Sequence, residues 1–202
     1  MIGYQPTLER LGEFGRYKDV DGDGIPYRTI PGDGMPAYFT RGSGHNERGQ
    51  YSERPDDYVN NVQRLARKFE TAKRYVPQPV IDAVPDAQVG IIAYGTTHFA
   101  IEESRDQLEK ETGVRTSYLR LRAYPFTDDV QEFIHRHERV YVVEQNRDGQ
   151  MLALLRMELD PVLSMRLRSV RHFNGLPIDA RSVTDDILAQ EGVKSSELLA
   201  QT

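Results

Sequence analysis

Four groups of residues have types and spacings that could do chemistry. Asp19, Asp21 and Asp23, followed by Gly24, match the start of a calcium loop, which needs alternating carboxylates, a glycine and a bidentate glutamate at the twelfth position. Counted from Asp19, that position is Ile30, and Pro26 and Pro31 break the helix that should leave the loop. The stretch therefore reads as an Asp/Gly-rich turn whose carboxylates accept backbone N–H groups, with the three aspartates retained as possible cation ligands. "TRGSGHNERGQYSE" sets Arg41, Ser43, His45 and Glu47 among glycines, where Arg41 could grip a carboxylate and His45 donate beside it. Ser43 and His45 lie too close in sequence for a triad, and no GxSxG elbow is present. "AYGTT" places Gly95, Thr96 and Thr97 where a strand turns into a helix, a place for a small anion; either threonine could equally be a plain helix cap. "VVEQNRDGQ" puts Glu144, Gln145 and Asn146 at a strand's carboxyl end, where ligands sit in open α/β sheets, although a turn explains Asn146 to Gly149 as well.

Composition closes off several chemistries. Cysteine is absent, which excludes disulfides, thiolate nucleophiles, zinc–thiolate sites and cysteine-ligated iron–sulfur clusters on this chain. With 26 Lys+Arg against 31 Asp+Glu the net charge is -5, so no global basic field attracts nucleic acid or an anionic membrane. No window approaches the run of about 18 apolar residues that spans a bilayer, and the opening residues lack the basic-then-apolar order of a signal peptide. The expectation is a cytoplasmic protein.

These groups need elements to hold them, and the chain divides in two. Residues 1 to about 53 are dense in Gly, Pro, Asp and Arg, with many turn dipeptides and little apolar periodicity. From Pro55, the recurrence of Tyr58, Val62, Leu65, Phe69 and Ala72 predicts an amphipathic helix of about 19 residues, with Arg64, Arg67, Lys68, Lys73 and Arg74 on a solvated opposite face. "VPQPV" (76–80) reads as a proline-stiffened linker.

Beyond it, strand and helix signals alternate. Strands are expected over 88–95, 115–121, 139–145 and 167–173, and helices over 97–112, 128–137, 149–159 and 180–190. The helix over 149–159 is apolar nearly all round and should be buried, Thr127 is placed to cap 128–137, and Gly113 to end 97–112. Alternation at this spacing predicts an α/β class: an open, mainly parallel sheet flanked by helices in three layers, over 81–192, with a frayed tail over 193–202.

Seven stretches in order, "RYKDVDGDGIPYRTIPG", "AYFTRGSGHNERGQYSE", "RLARKFETAK", "GIIAYGTTHFAIEES", "YLRLRAYPF", "YVVEQNRDGQ" and "VRHFNGLPIDARSV", resemble the carboxyl-terminal part of the alpha subunit of 2-oxoacid:ferredoxin oxidoreductases, especially the 2-oxoglutarate type. The resemblance implies an enzyme that uses thiamine diphosphate to decarboxylate a 2-oxoacid, forms an acyl-CoA and passes electrons through an iron–sulfur cluster to ferredoxin. It implies that thiamine diphosphate, magnesium and the cluster belong to a partner beta subunit, and that this chain binds none of them alone. It further implies that residues 1–75 end a pyrimidine-binding domain and that 81–192 form a transketolase carboxyl-terminal-like domain. The expected partners are the beta subunit, a second alpha subunit and, through the complex, ferredoxin.

The family's motif for activating the cofactor has no counterpart in these residues. The expectation is therefore an architectural piece of a subunit, inactive alone, with no catalytic residue and with Arg41 and His45 near substrate or at a subunit interface. The competing expectation is an independent α/β module that binds a small anion at the Gly95–Thr97 turn.

Overall fold

A six-residue run of apolar side chains bounded by turn residues can be a strand only if both of its faces are covered, and β2 (Val89–Tyr94) meets that condition with five of its six residues buried. In the computed structural model, which describes residues 12–32 and 37–193, β2 lies at the centre of a five-stranded sheet. The other strands are β1 (Val80–Asp82), β3 (Thr116–Leu121), β4 (Arg139–Glu144) and β5 (Leu167–Arg171), in the order β1-β3-β2-β4-β5. Four run parallel, and β1 pairs antiparallel at the β3 edge. Ile91 of β2 lies level with Tyr118 of β3 and Tyr141 of β4.

The strand pleat sends neighbouring residues to opposite faces, so Ile91 and Ile92 enter different cores. Ile91, Tyr118, Tyr141, Val143 and Val170 pack under α2 (Thr97–Thr112) and α6 (Ala180–Glu191). Ile92, Leu119, Val140, Val142 and Leu167 pack under α3 (Asp128–Arg136), α4 (Gln150–Glu158) and α5 (Pro161–Ser164). Each fully buried Ile or Leu contributes roughly 1.5–3 kcal/mol by leaving water. The expected α/β class, with an open, mainly parallel sheet between two helix layers, is the fold observed. Gly113 ends α2 as its sequence position predicts, at φ 74 with its N–H donated to the Glu109 carbonyl.

Three local expectations differ from what is found. The helix over 149–159 is α4, and it buries only Leu152 and Leu155; Ala153, Arg156 and Met157 face solvent because one helix layer, not two, covers that side of the sheet. Thr127 stands at the start of α3 in extended conformation without capping it; its hydroxyl donates to Asp129 instead, at 3.3 Å. Val80, read as the end of a linker, already pairs with Arg120 as the first residue of β1. The tail expected to fray lies outside the described residues except for Val193.

Residues 1–76 and 77–202 form two units. In the first, α1 (Pro55–Ala72) forms as predicted, opened by Pro55 with Asp56 and Asp57 in its first turn. Its burial departs from the expected amphipathic pattern at Arg64 and along the apolar face, whereas Arg67, Lys68 and Arg74 are exposed as expected. Arg64, placed on the solvated face by its charge, is 6% exposed, whereas Tyr58, Val62 and Phe69 are exposed. The reason is local: Arg64 donates to the Gly24 carbonyl at 3.1 Å and to Asn61 Oδ1 at 2.9 Å, and its guanidinium lies 5.8 Å from the Tyr17 ring centre. The Gly-rich segment thus folds onto α1 through a polar and aromatic network rather than an apolar core. Gly24 permits this at φ +77, since a β-carbon there would lie 2.3 Å from the Lys68 nitrogen.

Candidate functional site

Strand order locates the crevice of the sheet. β2 leads through α2 to β3 on one side, and β4 leads through α4 and α5 to β5 on the other. The connections diverge between the carboxyl ends of β2 and β4, the place where open α/β sheets hold ligands. Two of the sequence candidates, the 95–97 turn and the 144–146 strand end, meet there.

Gln145 joins them. Its side-chain amide donates to Thr97 Oγ1 at 3.1 Å and to Thr96 Oγ1 at 3.5 Å, while its Oε1 accepts the Ile178 N–H at 3.3 Å. Glu144 is wholly buried, and its carboxylate accepts the backbone N–H groups of Met151 (2.8 Å) and Leu152 (3.2 Å) and the side-chain amide of Asn146 (2.5 Å). A carboxylate of the chain itself thereby takes the place that an anionic ligand would take at the positive end of α4. Asn146 Oδ1 accepts from the N–H groups of Asp148 (3.1 Å) and Gln150 (3.2 Å), closing the turn. Burial, and then the negative charge of Glu144, hold the Tyr94 phenol above its ordinary pKa.

α2 begins differently. Gly95 turns the chain at φ +61, Thr96 and Thr97 supply no side-chain cap, and the first turn carries no acidic residue. The arrangement can present N–H groups and hydroxyls to a small anion at α2, whereas the start of α4 is already satisfied. Gln145 was marked in the sequence only by its place between Glu144 and Asn146 at a strand end; its bonds to the 95–97 turn have no sequence signal, because a glutamine carries no motif.

The Gly-rich loop separates its two candidates. His45 is 8% exposed and stacks on Tyr17 with ring centres 3.9 Å apart. Its Nδ1–H donates to the Asn46 carbonyl at 3.0 Å, and Nε2 accepts from the Asn61 amide at 3.1 Å, a tautomer assigned from these partners. Arg41 points outward, with Nε donating to the Gly49 carbonyl at 3.2 Å and its backbone N–H to the Tyr17 hydroxyl at 3.3 Å. It lines a cavity of about 340 Å³ together with Arg48, Phe14, Tyr38 and Tyr51. The two residues are therefore not aimed at one carboxylate: Arg41 faces a groove and His45 supports the loop behind it.

The three aspartates come together, with one carboxylate oxygen of each within 4.8 Å of the others. Each carboxylate also has a protein donor. Asp19 accepts from the Gly24 N–H (3.0 Å) and Arg67 (2.9 Å), Asp23 from the Ile25 N–H (2.7 Å), and Asp21 from the Tyr27 hydroxyl (3.2 Å). These bonds are the turn that the sequence suggested, tied to α1 by the Asp19–Arg67 ion pair.

Known proteins share sequence and fold with this chain. The chain is 32% identical over 149 residues to the alpha subunit of 2-oxoacid:ferredoxin oxidoreductase 2 from Aeropyrum pernix, a match that covers 71% of this chain and 23% of that one. Among solved structures, it superposes on 2-oxoglutarate:ferredoxin oxidoreductase from Magnetococcus marinus, solved with 2-oxoglutarate, coenzyme A and succinyl-CoA bound. The TM-score is 0.76 at 22% identity, over 89% of this chain and 31% of that one, which is a likeness of fold. The alpha chain of a probable 2-oxoacid ferredoxin oxidoreductase from Thermoplasma acidophilum gives a TM-score of 0.34 at 20% identity, covering 56% of this chain and 95% of that one, too low to carry an argument. No protein-family model matches. The chain spans about a quarter of the length of the curated relative it matches, and its relatives in sequence and fold are 2-oxoacid:ferredoxin oxidoreductases.

Proposed function

We propose that this chain supplies the carboxyl-terminal part of the alpha subunit of a thiamine diphosphate-dependent 2-oxoacid:ferredoxin oxidoreductase, of the 2-oxoglutarate type. The observation that carries the reading is the 32% identity to an oxidoreductase alpha subunit sustained over 149 residues. The α/β fold, shared at a TM-score of 0.76 with an enzyme solved with 2-oxoglutarate bound, supports it. In this reading residues 1–75 close a pyrimidine-binding domain, and 81–192 are the transketolase carboxyl-terminal-like domain.

The donor set of this chain does not fit an iron–sulfur cluster, and its candidate carboxylates are engaged within the protein. An iron–sulfur cluster needs thiolates, and the chain has no cysteine. The Asp19, Asp21 and Asp23 carboxylates already accept from N–H, guanidinium and hydroxyl donors, and Glu144 is spent on the start of α4. In this reading thiamine diphosphate, magnesium and the cluster belong to a partner beta subunit, and no chemical step is assigned to a residue of this chain. Its role is architectural: it packs against the beta subunit and a second alpha subunit in a cytoplasmic complex that reduces ferredoxin. No helix among the described residues is long and apolar enough to cross a membrane, which is compatible with that role.

Coexpression with a thiamine- and cluster-binding beta subunit from the same genome tests the reading. A stable complex that retains the beta subunit through size-exclusion chromatography is expected. Separate elution at every concentration would overturn the architectural role.

A further inference from the structure

At the opposite end of the sheet from the crevice, the connection between β1 and β2 arches over the amino ends of the strands and forms one wall of an open cavity of about 530 Å³. That volume lies within the range of small-molecule sites, roughly 300–1,000 Å³. Ile81, Val84, Pro85 and Phe133 supply apolar walls. Asp86 holds the arch at φ 62, in the left-handed region that Asp tolerates better than most residues. Gly90 brings the strand close beneath: a β-carbon there would meet the Phe133 ring at 2.8 Å and the His137 ring at 3.1 Å.

His137, 5% exposed, and Ser117 are the buried polar residues of this cavity. The His137 Nδ1–H donates to the Phe133 carbonyl at 2.7 Å, which leaves Nε2 as an acceptor without a protein partner among the described residues. Burial holds this imidazole below its ordinary pKa and so in the neutral form that can accept. The other lining groups repeat the pattern. Ser117 Oγ is engaged with the backbone of Val84, the Gln88 amide donates to the Asp86 carbonyl at 3.3 Å, and Arg136 is paired with Glu132. What remains is His137 Nε2 as the buried acceptor, with carboxylate oxygens of Asp86 and Asp129 and the outer N–H groups of Arg136 at the exposed rim, Asp129 Oδ2 also accepting from Thr127. Three carboxylates against one guanidinium also make the lining electronegative.

We propose that this cavity binds a small free cationic amine or amidine, whose N–H groups are donated to His137 Nε2 and to the carboxylates of Asp86 and Asp129, with its carbon body against Phe133 and Val84. A lining with three carboxylates against one guanidinium and an unpaired buried acceptor disfavours carboxylates and phosphates, which would find like charge there, and favours a ligand that brings donors and positive charge. The inference is independent of the oxidoreductase reading, because it uses no residue of the crevice or of the Gly-rich loop.

Agmatine and benzamidine, titrated separately into the full chain with calorimetry and ¹H–¹⁵N spectra, test it, with succinate as the anionic control. At least one cation should bind saturably at one site, shift the His137 Nε2 resonance and the amides of Asp86 and Phe133, and leave those of Thr97 and Gln145 unmoved; succinate should leave all of them unmoved. The double variant Asp86→Asn, Asp129→Asn changes only exposed side chains and should fold normally while weakening the cation about tenfold or more, the scale of lost charge-assisted hydrogen bonds. Absence of saturable binding by both cations, equal binding of succinate, or unchanged affinity in a folded double variant would overturn the proposal.

Discussion

Glu144 accepts the backbone N–H of Met151 at 2.8 Å from a position with no solvent exposure, so the last residue of β4 fixes the start of α4. Removing the side chain should orphan two buried N–H groups. Glu144→Ala is expected to lower the stability of the α/β unit by at least about 2 kcal/mol, and Glu144→Gln by roughly half of that, because an amide oxygen still accepts. Hydrogen exchange at the Met151 and Leu152 amides reads this locally: both should accelerate in Glu144→Ala while β2 amides change only with global stability.

In the first unit, Gly24 and Arg64 should act together, since the Gly24 carbonyl accepts from Arg64 at 3.1 Å. Gly24→Ala places a β-carbon against the α1 backbone at a φ that L residues avoid, and should release the 17–32 segment from the helix. Arg64→Ala should cost more than about 2 kcal/mol by leaving buried acceptors unpaired. Arg67→Ala breaks a more exposed ion pair with Asp19 and should cost less than about 1 kcal/mol. Limited proteolysis should cut within 17–32 in the first two variants and spare the third.

Two tyrosines on one face of the sheet should respond oppositely to loss of their hydroxyls. Tyr141 donates to Glu191 Oε1 at 2.6 Å, so Tyr141→Phe should destabilise by roughly 1.5–3 kcal/mol, as for a hydrogen bond to a charged group. The Tyr118 hydroxyl is buried with no hydrogen-bond partner, so Tyr118→Phe should be neutral or stabilising by up to about 1 kcal/mol. Denaturant melts of the two variants at pH 7 decide the matter.

Tyr118 also sets an alkaline limit. Burial, the largest cause, pushes its pKa up from 10.0 to about 12. In the unfolded chain the phenol ionises first, so its contribution is complete below pH 10 and is lost as the pH rises toward 12. Wild-type stability should therefore fall over that window, and Tyr118→Phe should fall less steeply. Melts at stepped pH, with phenolate absorbance recorded in parallel, give both curves.

Much of the α/β unit was legible in sequence because burial on both faces leaves continuous apolar runs, as in "VGIIAY", and because Gly113 ends its helix in a conformation few other residues accept. β1 was not legible: three exposed residues beside two prolines carry no period. The four-residue α5 announces itself only through the Asp160 cap and Pro161. Arg64 misled because charge is read as solvation, whereas its partners, Gly24 and Asn61, are brought to it by the fold. The crevice was half legible. The 95–97 and 144–146 segments were each identified, but strand order alone makes them neighbours and Gln145 alone ties them. Arg41 and His45, four residues apart, are parted because Tyr17 stacks on the His45 ring while the Arg41 side chain faces a groove.

The proposed oxidoreductase role is tested most directly by turnover. The chain is coexpressed with a thiamine- and cluster-binding beta subunit, with and without an upstream alpha-subunit segment, and viologen or ferredoxin reduction by 2-oxoglutarate and coenzyme A is followed spectrophotometrically. Reduction should depend on this chain and on the upstream segment, and the chain alone should give none. Turnover by the isolated chain, or a stable assembly with the upstream segment present that reduces neither acceptor with any 2-oxoacid, would contradict that role.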